Sequence, residues 1–105
     1  MKILYHPGRE DIHISSVLSA LSDPIRLSML KTISLEGERP CGEYNLSVSI
    51  AKSTLSHHVR ILREAGVLRV RVQGTQHLLS IRSEDLEARF PGLLSSILQA
   101  VDMKA

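Results

Sequence analysis

Lys52-Ser53-Thr54-Leu55-Ser56-His57-His58-Val59-Arg60-Ile61-Leu62-Arg63-Glu64-Ala65-Gly66 is the stretch whose reading decides the fold. With a helical turn of about 100° per residue, Leu55, Val59 and Leu62 share one side, while Ser53, His57, Arg60 and Glu64 fall opposite with Ser56 at their edge. The outer side is rich in short hydroxyls, imidazole and guanidinium, a donor set that can meet base edges and phosphates in a DNA major groove. Ser53 fits an N-cap and Gly66 a terminating residue. A plain solvated face would show the same periodicity, so the residues after Gly66 decide between the two. Leu68-Arg69-Val70-Arg71-Val72 alternates apolar and basic, Gln73-Gly74-Thr75 reads as a turn, and Gln76 to Ile81 can return as a second strand. A helix followed by a basic hairpin is the order of a winged helix-turn-helix, in which the helix enters the groove and the hairpin lies along the flanking backbone. The expected fold is therefore mainly α with a small β-hairpin.

The 105 residues, 43% of them hydrophobic, suit a single domain over 1–105 with a core small enough that association would help stabilise it. The chain has no apolar run of membrane-spanning length, and its start, Met-Lys-Ile-Leu-Tyr-His-Pro-Gly, lacks the apolar region of a signal peptide. With one cysteine, Cys41, these features point to a reducing, cytoplasmic setting. The net charge of +2 is unevenly divided. Residues 52–82 hold Lys52, Arg60, Arg63, Arg69, Arg71 and Arg82 against Glu64 alone, and the rest of the chain is net acidic. Such a local basic segment is the footprint of salt-sensitive nucleic-acid binding. The three aromatic residues, Tyr5, Tyr44 and Phe90, all lie outside it, which disfavours single-strand stacking.

Ile14, Val17, Leu18 and Leu21 recur at helical spacing, and Ser22-Asp23-Pro24 closes that segment with Asp23 placed to cap a second helix from Ile25 to about Ser34. Ile25, Leu27, Leu30 and Ile33 are its core candidates. Residues 36–42 form a Gly/Pro-punctuated loop. Residues 43–51 should supply the positioning helix of a helix-turn-helix, yet they are serine-rich and alternate with a period of two, so a short or distorted helix is expected there. Ser83-Glu84-Asp85 begins a further helix with acids in its first turn, and Pro91 interrupts it. The stripe Leu93, Leu94, Ile97, Leu98 and Val101 is richer than packing on one small domain requires.

Ser22-Asp23-Pro24-Ile25-Arg26-Leu27, together with residues 52–68, strongly resembles the arsenic-repressor (ArsR/SmtB) family of bacterial winged-helix regulators, from roughly Val17 through the last helix. The resemblance implies a symmetric homodimer joined by the first and last helices, through Ile14, Val17, Leu18, Leu21, Leu94, Ile97, Leu98 and Val101. It implies binding to an inverted repeat in double-stranded promoter DNA, with repression as the outcome. By position, Ser53, Ser56 and His57 match groove-facing residues, with Lys52 and Thr54 beside them, and Arg60, Arg69, Arg71, Gln73 and Thr75 match backbone and minor-groove contacts.

The family's metal sites are expected to be missing. Pro40 and Gly42 stand where a cysteine pair would flank the central residue, leaving Cys41 alone, and residues 88–100 hold no acidic, histidine or cysteine ligand. His57 and His58 are neighbours on a helix and cannot chelate one ion together. His6, His13, Asp11 and Asp102 are a weaker N-terminal alternative. No cofactor and no enzymatic activity are expected, the chain having neither a Gly-rich phosphate loop nor a nucleophile in a recognisable setting. The competing readings are a winged helix that binds protein, which should have a more apolar outer face, and a repressor that senses oxidants through Cys41. A small-molecule effector is the other source of control.

Overall fold

The computed structural model describes residues 4–46 and 49–102. Its elements run α1 (Ile14–Ala20), α2 (Pro24–Glu36), β1 (Arg39–Pro40), α3 (Lys52–Glu64), β2 (Leu68–Gln73), β3 (Gln76–Ile81), α4 (Ser83–Arg89) and α5 (Leu93–Asp102). Asp23 and Pro24 act as their types predict: proline occupies the first turn of α2, and the Ile25 amide donates to the Asp23 carboxylate at 3.4 Å. On α2, Leu30 and Ile33 are buried as expected, together with Met29, whereas Ile25 and Leu27 are only partly covered.

α3 begins two residues earlier than its serine suggests. Ala51, in an extended conformation, is the N-cap and provides no side-chain hydrogen bond, so Ser53 lies within the first turn and its hydroxyl is not used as a cap. The far end agrees closely with the sequence. Gly66 has φ +90°, its amide donates to the Arg63 carbonyl, and the Val67 amide donates back to Leu62, which together close a Schellman turn. A side chain at Gly66 is excluded twice over, because a Cβ there would come 2.7 Å from the Ile12 side chain. This turn joins α3 to the hairpin, so one glycine sets the angle between them.

β2 and β3 pair antiparallel from Leu68↔Ile81 to Gln73↔Gln76, around a two-residue loop in which Gly74 takes φ +62°. The expected hairpin gains a third strand: Arg39 and Pro40 pair with Leu79 and Leu78, giving the sheet order β1-β3-β2. Leu62, Val67, Leu68, Leu79 and Leu30 meet in the core, with Ile12 packed against them from the N-terminal segment. Val72 obeys the apolar alternation but is exposed, since the hairpin tip extends past the core.

The N-terminal segment covers the open edge of β2. Val70, whose amide points away from β3, donates to His6 Nε2 at 3.0 Å, and the His6 Nδ1 lies 3.1 Å from the Leu4 carbonyl. A neutral ring with its proton on Nδ1 satisfies both contacts. Burial is the main cause holding the His6 pKa below its ordinary value, with Arg63, Arg82 and Arg69 nearby acting in the same direction. Both ring nitrogens are thereby engaged in the fold, which removes His6 from the N-terminal metal cluster that the sequence allows.

Candidate nucleic-acid interface

The inner face of α3 is anchored before its outer face can present anything. Val59 and Leu62 are buried, Leu55 is half-buried, and His58, also buried, accepts from the Arg26 guanidinium at 3.1 Å through Nδ1. Arg26 in turn donates to the Ala20 carbonyl, so one arginine ties α3 to the junction of α1 and α2. Lys52, Ser53, Thr54, Ser56, His57 and Arg60 are exposed on the same helix. Adjacent histidines have thus taken opposite duties, with ring centroids 5.8 Å apart and planes tilted by 55°. Sequence periodicity separates them, but nothing in it points to His58 as the acceptor for Arg26.

The segment ahead of α3 departs from a regular helix-turn-helix. Cys41–Glu43 forms a single 3-10 turn, and among the described residues of 44–51 there is no helix; Ser47 and Val48 lie outside the described residues. The expected short helix is thus absent among these described residues, which are irregular, in keeping with their low helical propensity. Tyr44 supplies the missing rigidity. Its hydroxyl accepts from the Arg39 amide at 3.0 Å and donates to the Gly37 carbonyl at 2.7 Å, with the Leu79 carbonyl at 3.0 Å, pinning the loop to β3.

Arg69, Arg71, Gln73 and Thr75 are all exposed on the hairpin. The two arginines are not idle. Arg71 makes a two-pronged contact with Glu38, Nη2 to Oε1 at 2.8 Å and Nε to Oε2 at 3.4 Å, and this bond holds the Glu38 carboxyl below its usual range. Arg69 lies 3.5 Å from Asp85, a carboxylate that also receives Arg9 at 2.8 Å and Arg82 at 2.9 Å. Asp85 is thus shared among three guanidiniums, whereas Arg71 and Glu38 pair with one another.

Two members of the basic segment are structural. Arg63 is 9% exposed and donates to the Tyr5 carbonyl at 2.7 Å; Arg82, 6% exposed, donates to the Pro7 carbonyl at 2.7 Å. They hold the N-terminal segment on the sheet and cannot belong to a surface footprint. The charge available outside is therefore smaller than composition suggests: Lys52 and Arg60 on α3, and Arg69 and Arg71 on the hairpin.

Cys41 is half-buried beside a cleft of about 490 Å³ lined by Glu43, Lys52, Ser56, Thr75 and His77. Burial pushes its thiol above the ordinary cysteine range, opposite to the activation of a reactive thiolate. Among the described residues no three His, Cys, Asp or Glu side chains are grouped to hold a metal ion. No helix among them is long and apolar enough to cross a membrane.

The terminal helices divide their apolar residues. Val17 and Leu21, assigned by spacing to a partner surface, are enclosed within the protomer at 1% and 6% exposure, because α1 packs this side toward the core. Ile14 and Leu18 remain outside at 42% and 50%. On α5, Leu93, Leu94, Ile97, Leu98 and Val101 are only partly covered.

Comparisons with known proteins agree with this geometry. Residues 21–71 match a model for the helix-turn-helix domain. The chain is 33% identical over 84 residues to the HTH-type transcriptional regulator YceK of Bacillus subtilis, spanning 79% of this chain and 84% of that protein. It is 31% identical to the arsenical resistance operon repressor of Staphylococcus xylosus over 74 residues, 70% of each. The crystal structure of the transcriptional repressor BigR from Xylella fastidiosa superposes with a TM-score of 0.65 at 27% identity, covering 93% of this chain and all of that one. With its amphipathic α3, basic wing and these relatives, the chain belongs to the ArsR family of winged helix-turn-helix transcriptional regulators.

Proposed function

We propose that this regulator is a cytoplasmic homodimer that reads an inverted repeat in promoter DNA and represses the adjoining genes. In this reading residues 1–105 act as one winged-helix domain without catalytic activity. The observation that carries it is the division of α3: its apolar face is sunk in the core while Ser53, Ser56, His57 and Arg60 are left in solvent on the other. Base edges in a major groove are read by such side chains, and the wing then lies against the flanking backbone. A protein-docking helix would carry apolar anchors on that outer face, which these residues do not provide.

Exposed Ile14 and Leu18 on α1, with the partly covered Leu94, Ile97, Leu98 and Val101 on α5, support two-fold association through the terminal helices. The donor set does not fit the family's thiolate metal centre, since Cys41 stands between Pro40 and Gly42, and neither flank carries a ligand. In this reading a small organic effector, or none at all, governs DNA release, in place of a metal ion or an oxidant.

Sedimentation and fluorescence anisotropy with DNA from its own promoter test this reading together. The wild type should sediment as a dimer at micromolar concentration and bind with steep salt dependence, and Leu18→Asp combined with Leu98→Asp should give monomers that have lost most specific affinity. A wild-type monomer with full affinity for a single half-site refutes the dimer. Neither Zn²⁺ at stoichiometric concentration nor peroxide should release the DNA, in the wild type or in Cys41→Ser. Release by zinc in both overturns the metal-free assignment, and release by peroxide in the wild type alone makes Cys41 the sensor.

A further inference from the structure

We infer that Glu38 is an internal competitor for DNA phosphate: it occupies the wing cation Arg71 in the free protein and so lowers affinity for DNA of any sequence. The inference rests on the DNA-binding role and on the wing lying along the backbone.

The sheet brings the pair together. Arg71 stands opposite Leu78 on β2 and β3, Pro40 of β1 stands opposite Leu78 from the other side, and Glu38 immediately precedes β1. The third strand thus delivers a carboxylate across β3 to the wing arginine. The contact is two-pronged, with both side chains largely in solvent, 53% and 38% exposed. A carboxylate bound to both Nη2 and Nε occupies the planar fork that a phosphate would use, and two anions cannot share that edge. Phosphate can therefore use that edge of Arg71 only by displacing Glu38, and phosphate on the remaining Nη1 side meets repulsion from the neighbouring carboxylate.

The exchange acts on a phosphate contact, which is sequence-independent, so it costs target and non-target duplexes alike and leaves the base contacts of α3 untouched. Arg69 provides the internal contrast, since its anion Asp85 is shared with Arg9 and Arg82 and neutralises it only in part.

The test uses fluorescence anisotropy with a duplex obtained by in vitro selection and a scrambled duplex of equal length, over a range of salt concentrations. Four proteins are compared: wild type, Glu38→Gln, Arg71→Ala and the double variant. Glu38→Gln should bind both the scrambled and the selected duplex roughly three- to tenfold more tightly, leaving the ratio of the two affinities unchanged. Its plot of log affinity against log salt should steepen by about 0.9 for each arginine–phosphate contact released. In the Arg71→Ala background the same substitution should give a clearly smaller gain, from relieved repulsion alone. Weaker binding of both duplexes by Glu38→Gln, unchanged binding, or an equal gain without Arg71 overturns the inference while leaving the DNA-binding role intact. A folded wild type that binds neither duplex overturns the role and the inference together.

Discussion

The reading helix and the wing each carry basic residues, but they hold them under opposite conditions. On α3, Lys52 and Arg60 stand in solvent while Arg63 is spent inside, bonded to the Tyr5 carbonyl. On the hairpin both arginines point outward, yet each meets a carboxylate, Glu38 at 2.8 Å and Asp85 at 3.5 Å. The difference teaches that charge counted along a sequence is not charge presented to a ligand. Burial removes a cation from the surface altogether, and an exposed ion pair leaves it in place at the cost of exchanging partners. In the proposed DNA-binding role, selectivity is concentrated on α3, where the hydroxyls and His57 meet no internal anion among the described residues, and the wing adds affinity that is moderated from within.

The strongest way to break this comparison is to disconnect its two halves. Gly66 joins α3 to β2 with φ +90° against Ile12. Gly66→Val should cost about 3 kcal/mol of stability from the left-handed backbone and the overpacked contact together. Chemical denaturation would measure it, and a change below about 1 kcal/mol would mean that the turn relaxes and does not fix the angle between helix and wing. Gly74→Ala, at the hairpin tip with open space around its Cα, serves as the control for backbone strain without the clash.

A smaller effect should separate the duties of the two regions. His57→Ala should cost about 1–3 kcal/mol at particular base pairs and leave others untouched, whereas Arg71→Ala should weaken all sequences alike. Because Glu38 already neutralises Arg71, the uniform loss should be the lesser of the two on a target duplex. Identical specificity profiles for the two variants would erase the distinction drawn between helix and wing.

The smallest expected effect concerns the wing's outer edge. Because burial depresses the His6 pKa, the neutral ring is the form the fold favours, so its contribution is fully present above the ordinary histidine value near 6.5 and is lost as pH falls through the depressed folded value. Below that point Nε2 can no longer accept from Val70. Hydrogen exchange at the Val70 amide should accelerate over this acidic window in the wild type. In His6→Gln, whose side chain does not titrate, exchange corrected for its intrinsic pH dependence should lack that step; a step that survives would place the titration elsewhere.

Much of this organisation is legible in the residues. The periodicity of 52–62, the Asp23-Pro24 start, the Gly66 stop and the Gly74 turn each act through local backbone chemistry, and each appears where the sequence places it. What the sequence hides are the long-range pairings. Nothing local distinguishes Arg63 and Arg82, which turn inward to backbone carbonyls of the N-terminal segment, from Arg60, which does not. Helical spacing likewise groups Val17 and Leu21 with Ile14 and Leu18, although the core claims the first pair and solvent the second. Residues 43–51 show the reverse: their period of two argues locally against a regular helix, and only the fold-level expectation of a positioning helix argues for one.

The central claim is that the outer face of α3 reads DNA in pairs. In vitro selection from random-sequence duplexes tests it most directly, performed with the wild type and with His57→Ala. The account predicts that the wild type enriches an imperfect palindrome whose half-sites lie about one helical turn apart, roughly 10 base pairs, and that His57→Ala relaxes the same positions in both halves. Enrichment of no motif by a folded wild type, or a motif that His57→Ala leaves unchanged at every position, would contradict it.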